Sequence, residues 1–375
     1  MRILINAGPW LPVPPRGYGG IETVVATLIP ELRRAGVHVT LATVGPSTIE
    51  ADAYLCPLDE PQFASIALPY NQVSGIAHAH MHGVVQAMYD GGAWDLVHDH
   101  LEVVGPAVFA AMGLAAPPVL QTLHWDLGKH GAFYSSFNGR GRIRFAAVSQ
   151  SQLERAPKAL QRQTIGVVPL AAPPALDVHA ESAGHALVLA RITRDKGQDT
   201  ALRICRLAGL PLVLAGPVAG IDDPAELDRR LAEGDPHLAS HPDAKYFREE
   251  VRPLLDGGRY RWIGGVDGEA KERVLRSARV LLAPNRWAEP GATGVVEALS
   301  RGIPVVGTPL GVLPSLVDHG RTGFLAADEQ EMARFLQELD NIRPQDCIDA
   351  AAAWTPEAMA ASYLRLYDQL IQEAT

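Results

Sequence analysis

Short aliphatic runs alternate with helical stretches along most of the chain. RILINA, from Arg2, reads as a strand. A Pro/Gly loop, PWLPVPPRGYGG, follows. IETVVATLIPELRRAG then sets apolar residues at helical spacing and ends on Gly36, a helix stop signal. VHVTLAT is the next strand, and DLVHDH, PVLQTLH, FAAVS and IGVVP read as further strands. Strands alternating with helices predict βαβ units and a mostly parallel sheet.

Near Leu170 the alternation stops. LAAPPALDVHAESAGH is rich in Pro, Ala and Ser, lacks periodicity, and reads as a linker region. ALVLARI then restarts the pattern as a strand, DTALRICRLAG as a helix and PLVLAG as a strand. RYRWIGGV, ARVLLAPN and PVVGT are further strands with helices between them, and TPEAMAASYLRLYDQLIQEA is an amphipathic helix. The expected fold class is α/β, with two Rossmann-like, doubly wound domains over 1–170 and 171–354. No sequence repeat relates the halves. Two such domains facing each other leave a cleft lined by the carboxyl ends of their strands, and ligands bind there.

Composition narrows the function. The chain has 375 residues, 47% apolar and 20% charged, enough for two cores. Lys plus Arg number 33 against 42 Asp plus Glu, a net charge of −9. That field disfavours coating nucleic acid or an anionic membrane, and leaves room for a local basic pocket. Cys56, Cys205 and Cys347 lie far apart, with neither zinc spacing nor a disulfide framework, so a reducing, cytoplasmic setting is expected. The N-terminal apolar run is too short for a signal peptide. Val103 to Leu120 carries no charge, but Gly105, Pro106, Gly113, Pro117 and Pro118 break it. It reads as a buried helix followed by the start of a strand, and no membrane span is expected.

Candidate chemistry gathers at strand ends. Arg191 closes ALVLA and Lys196 stands five residues on, before a helix. Two cations there suit a diphosphate, and equally read as solvated surface charges. In LLAPNRWAEPGATGVVEALSRGIPVVGT a strand ends near Pro284. A loop then carries Asn285, Trp287, Glu289 and Pro290, and a helix is expected from about Ala292 to Arg301 with Gly302 as its cap. Gly291, Ala292, Thr293 and Gly294 would let a phosphate approach free N–H groups at the helix start. Glu297, one turn in, could take two ribose hydroxyls and Glu289 the hydroxyls of a second sugar. Either acid also reads as a helix cap.

In the first domain RGYGGIE supplies Gly17, Gly19 and Gly20, but Glu22 stands where a dinucleotide fingerprint needs its third glycine. NAD is therefore not indicated, and a flexible loop fits better. His124 ends the strand PVLQTLH, where a cleft residue belongs, though a lone histidine there is often structural. His78, His80 and His82 read as one face of an extended stretch or a scattered helix surface, while His98 and His100 flank Asp99 at a strand end. No DxD accompanies them, so no metal is expected. GxSxG and P-loop motifs are absent as well.

Taken in order, GGIETVV, TLH at His124, R-x4-K from Arg191 to Lys196, E-x7-E from Glu289 to Glu297, GIPVVGT and DHGRTGFL resemble the family-four glycosyltransferases of the GT-B fold. The resemblance spans essentially the whole chain. It implies a retaining transferase that moves a hexose from a UDP- or GDP-sugar without metal or other cofactor. Arg191 and Lys196 would hold the diphosphate, Glu297 the ribose and Glu289 the donor sugar, faced by Gly291, Ala292 and Thr293. Gly19 and Gly20 would close over the diphosphate and acceptor side. His124 would contact the sugar near the reacting carbon. The loop Ile263-Gly264-Gly265-Val266 would hold the nucleobase, and helix 355–375 would cross back onto the first domain.

Two departures bear on the donor. The family's EPFG is Glu289-Pro290-Gly291-Ala292-Thr293 here, and its GG-x-P-E is Leu310-Gly311-Val312-Leu313-Pro314-Ser315, with Ser315 in place of an acid. The acceptor, whether small molecule, glycan or lipid-linked, is left open, as is peripheral membrane contact. A nucleotide-sugar epimerase and a non-catalytic nucleotide-sugar binder are the alternatives on this scaffold.

Overall fold

Seven short aliphatic segments pair in parallel to make the first sheet. They are β1 (Arg2–Asn6), β2 (His38–Val44), β3 (Ala53–Leu58), β4 (Leu96–Asp99), β5 (Val119–Leu123), β6 (Ile143–Ala147) and β7 (Thr164–Val167), in the order β3-β2-β1-β4-β5-β6-β7. This is a computed structural model, and it describes residues 1–178 and 184–374. Part of the expected linker, 179–183, and residue 375 at the end of the expected last helix lie outside the described residues.

The period-2 alternation of each strand divides its side chains between two cores. Ile3, Ile5, Val39 and Leu41 pack on one face with the helix Gly20–Arg34 and the final helix, Pro356–Ala374. Leu4, Ala42, Val97 and Phe145 pack on the other face with Met81 and Phe109 from the helices Tyr70–Tyr89 and Val104–Met112. The final helix thus belongs to the compact unit Met1–Pro173, which takes up the chain again at Trp354. It fills this core with Tyr363 and Tyr367, both fully buried. Buried phenols need partners. Tyr363 Oη meets Thr122 Oγ1 at 2.9 Å, and Tyr367 Oη meets His98 Nδ1 at 2.7 Å.

The second unit, Pro174–Ala353, holds a six-stranded parallel sheet. Its strands are β8 (His185–Leu189), β9 (Leu212–Ala215), β10 (Tyr260–Trp262), β11 (Ala278–Ala283), β12 (Val305–Gly307) and β13 (Gly323–Leu325), ordered β10-β9-β8-β11-β12-β13.

Two strands and one detail differ from the sequence pattern, and one open alternative is decided. β3 and β13 are edge strands; β3 is largely exposed and carries Pro57, and β13, though mostly buried, is only three residues long, so neither gives a clear apolar run in the sequence. The expected buried helix after Val103 is one-sided instead. Only Gly105, Pro106 and Phe109 are buried, while Ala107, Ala110 and Ala111 face solvent, because its alanine content blurs the boundary between core and surface. His78, His80 and His82 lie on a helix, with His80 buried opposite the two exposed ones. Among the described residues, no helix is long and apolar enough to cross a membrane.

Tyr367→Phe removes the hydroxyl that meets His98 Nδ1 and leaves a buried ring nitrogen unpaired. It should destabilise the protein by about 1–3 kcal/mol in urea unfolding. An unchanged midpoint would show that the hydroxyl contributes nothing there.

Candidate functional site

In the second unit the carboxyl ends of β8 and β11 are neighbours, and the loops that leave them are tied together by backbone contacts. After β8 the chain forms a 3-10 turn, Arg194–Lys196, then Gly197 at φ +69°, then the helix Gln198–Ala208. Gly197 is required twice over. Its left-handed backbone suits glycine, and a Cβ would strike the Pro284 carbonyl oxygen of the loop after β11. Arg286 N–H donates to the Asp195 carbonyl at 2.8 Å, and its guanidinium reaches Asp199 at 2.6 Å. Asp199 itself sits well down, at about 2; burial opposes its charge, but Arg286, Tyr246 and Arg203 outweigh that by donating to it.

This stitching sets Lys196 against Glu289: the ammonium donates to Glu289 Oε2 and lies 5.5 Å from the Trp287 ring centre. Glu289 is 9% exposed. Its backbone is gripped in turn by the Leu310–Val312 segment. Val312 N–H donates to the Glu289 carbonyl at 2.8 Å, and Gly311, at φ +63°, leaves no room for a Cβ beside the Glu289 backbone. Arg191 stands in the same loop, its carbonyl accepting from Gln198 Nε2 at 2.8 Å.

Past Glu289, Ala292 turns through a left-handed conformation and the helix runs Thr293–Leu299. It starts one residue later and stops two earlier than the sequence pattern suggests. Glu297 is buried in it, with Lys271 Nζ 2.9 Å from its carboxylate. The helix end is fixed by a buried pair, Arg301 and Glu272, at 2.7 Å. The loop Ile263–Val266 is backed by Asp222. Gly265 N–H donates to the Asp222 carbonyl at 2.9 Å, and a Cβ on Gly264 or Gly265 would collide with Asp222. Val266 therefore sits in a loop held close to its support. Burial, then the nearby Asp267, raise the Asp222 carboxyl above its usual range.

In the first unit the ends of β1, β4 and β5 carry a buried polar layer. Asp99 accepts from Asn6 Nδ2 at 2.8 Å, from Gln121 Nε2 at 3.0 Å and from the Leu101 N–H at 3.2 Å. Burial still raises it to about 7. His80 completes the layer at 2.7 Å from Asn6 Oδ1. On the alternate positions His98 meets Thr122 at 2.8 Å, and His100 meets His124 at 2.8 Å. These nitrogens engage Thr122, Tyr367 and one another rather than converging on one point. Among the described residues, no group of three or more His, Cys, Asp or Glu side chains is arranged to hold a metal ion. Gly19 and Gly20 lie where the Pro-rich loop enters the helix Gly20–Arg34, and a Cβ on Gly19 would press into the Pro15 ring.

Sequence reasoning missed Lys271, Arg286, Asn6 and Gln121, and gave Asp99 only as the residue between His98 and His100. Lys271 and Arg286 carry no local signal. Asn6 and Gln121 do: each interrupts an aliphatic run with a polar residue, in RILINA and PVLQTLH.

Comparison with known proteins fits this geometry. The profile of the glycosyl transferases group 1 matches residues 178–354, and that of Glycosyltransferase Family 4 matches 18–168. The chain belongs to these glycosyltransferases and is an enzyme of that class. A phosphatidyl-myo-inositol mannosyltransferase of Mycolicibacterium smegmatis is 24% identical over 326 residues, 82% of this chain and 77% of that protein. A sucrose-phosphate synthase of Thermosynechococcus elongatus superposes over 99% of both chains with a TM-score of 0.71 at 19% identity. The Anabaena protein HepE, solved with UDP and glucose, superposes over 98% of this chain and 100% of its own, with a TM-score of 0.65 at 17% identity. The fold is GT-B.

The buried histidines give a pH prediction. Burial holds His98 and His124 down to about 3 and His80 and His185 to about 4, and lowers His100 too. Below about pH 6.5 the unfolded chain protonates these five while the native state does not, so acid favours unfolding. Asp99 and Glu22, both raised to about 7 by burial, pull the other way, since the native state already holds their protons. Asp222 and Asp243 are raised too and act in the same sense, and the five histidines outweigh the four carboxyls over this window. The melting temperature should fall from pH 7 to pH 5, and a rise over that window in calorimetry would contradict the burial described.

Proposed function

We propose that this enzyme moves a hexose from a UDP- or GDP-sugar to its acceptor, with retention of anomeric configuration and without a metal. The observation that carries the reading is the loop after β8, where Gly197 and Arg286 lock Lys196 beside Glu289. One side chain suits a diphosphate, the other a sugar hydroxyl, and they already touch. Arg191 adds a second cation to that loop. The UDP and glucose bound to HepE support a nucleotide-sugar donor. The mannosyltransferase name of the mycobacterial relatives, with its phosphatidyl-myo-inositol, supports a hexose and a lipid-linked acceptor. A cytoplasmic setting, with the donor made in the same compartment, belongs to this reading.

The chemistry follows from where charge develops. As the bond from the anomeric carbon to the phosphate oxygen breaks, negative charge grows on the leaving diphosphate. Arg191, Lys196 and the N–H groups at Ala292–Thr293 would stabilise it. The acceptor oxygen forms its bond on the same face, and a leaving phosphate oxygen takes its proton. Glu289 would orient the sugar, Glu297 the ribose, the loop to Val266 the nucleobase, and His124 the sugar beside the reacting carbon. Gly19, Gly20, Gly291, Ala292 and Thr293 supply backbone without bulk.

A thermal-shift screen with UDP-, GDP-, ADP- and dTDP-sugars should raise the melting temperature for one nucleotide class. Product analysis with labelled donor should then show transfer. Epimerised donor, or binding without turnover, would favour the alternatives on this scaffold.

Arg191→Ala and Lys196→Ala should each lower turnover at subsaturating donor by roughly tenfold or more, the effect of losing one charge-assisted contact of about 1.5–3 kcal/mol. Full turnover by both would sink the diphosphate assignment. Activity should persist in excess EDTA; its loss, with recovery on adding Mn²⁺ or Mg²⁺, would count decisively against a metal-free site.

A further inference from the structure

We propose that His100 is a positioning residue, which fixes the proton of His124 on Nδ1 so that His124 offers an N–H donor to the donor sugar. The proposal rests on the reading of His124 as a sugar contact.

Strand pairing brings the two residues together. β4 and β5 run in register with His98 beside Leu120 and Asp99 beside Gln121. Two alternate positions then form cross-strand contacts of the same offset, His98 to Thr122 and His100 to His124. His100 Nδ1 lies 2.8 Å from His124 Nε2, with the rings stacked at 27°. His100 is only 2% exposed, whereas His124 is partly exposed. His124 is thus the outward member of the pair.

Burial keeps both rings neutral, so each carries one N–H. Between Nδ1 and Nε2 one ring must donate and the other accept. His100 Nε2 decides which. It is buried and, among the described residues, has no hydrogen-bond partner. A proton on that nitrogen would leave a buried N–H unpaired, and buried donors are the groups least often left so. With its proton on Nδ1, His100 donates to His124, and only a lone pair goes unmatched. His124 Nε2 then accepts, and its own proton sits on Nδ1. A sugar hydroxyl, or an oxygen gaining negative charge, would meet a donor there.

The second neighbour of His100 does not alter this. His98 packs against it, tilted by 41° with 4.1 Å between ring centres, but has both nitrogens engaged, with Thr122 and Tyr367.

Nitrogen-15 NMR on the histidine-labelled enzyme, with His124 assigned from the spectrum of His124→Gln, reads the tautomer directly. The Nδ1–H pattern for His124 is expected, and the Nε2–H pattern would overturn the proposal. Kinetics give an independent reading. In His100→Asn an amide N–H can still donate; in His100→Asp the carboxylate only accepts and forces the opposite tautomer. The Asn variant should keep a kcat at least roughly tenfold above that of the Asp variant, the scale on which one aimed donor acts. Both should bind UDP or GDP with parental affinity. Equal losses in kcat, or losses that follow nucleotide affinity, would overturn the proposal. Failure of the parent to bind either nucleotide would instead overturn the donor reading, and the tautomer spectrum would still decide the role of His100.

Discussion

The second unit depends on one close approach, that of the Gly197 backbone to the Pro284 carbonyl oxygen. A parallel sheet delivers all its strand ends to one edge, so the loops leaving β8 and β11 start side by side. Proximity alone would leave two flexible loops. The contact at Gly197 and the hydrogen bonds from Arg286 turn them into one surface. Lys196 and Glu289, 93 residues apart in the chain, become an ion pair largely shielded from water. Each charge is costly to bury alone and tolerable beside the other. On the proposed reading, a diphosphate and a sugar arriving together would replace each partner for the other, which would couple recognition of the two halves of the donor.

The first unit meets the same problem differently. Asp99 is fully buried with Asn6, Gln121 and a backbone N–H around it, and no cation faces it among these partners. Its raised titration shows that burial outweighs those hydrogen bonds. Next to it lie three neutral histidines and two tyrosines of the final helix. Buried polar groups in a layer of this kind need partners, although among the described residues His80 Nδ1, His100 Nε2 and Gln121 Oε1 have none. That requirement ties the last helix, through Tyr363 and Tyr367, to the strand ends that carry His98 and Thr122.

Much of this was legible beforehand where a physical rule acts locally. Aliphatic runs between helical periods gave eleven of the strands, and the small residues Gly291 to Gly294 marked the helix start after Glu289. Arg191, Lys196, Glu289 and Glu297 could be picked out as candidates because they follow strand ends. What stayed hidden needed contacts across the chain. Lys271 beside Glu297 is one charge in a charged helix, GEAKER, and Arg286 beside Asp199 is one arginine in a loop. The helix after Val103 misled because alanine is at home in a core and on a surface. β3 and β13 sit at sheet edges, where a strand needs less apolar pattern to be held by its neighbour.

The coupling between Lys196 and Glu289 is the central claim, and a double-mutant cycle measured by calorimetry tests it most directly. The parent, Lys196→Ala, Glu289→Ala and the double variant would each be titrated with a nucleotide sugar and with its nucleoside diphosphate. Loss of Lys196 should weaken both ligands, loss of Glu289 should weaken the sugar-bearing ligand selectively, and the two losses should be non-additive for it. Additive losses, or a Glu289 variant that treats both ligands alike, would contradict the account.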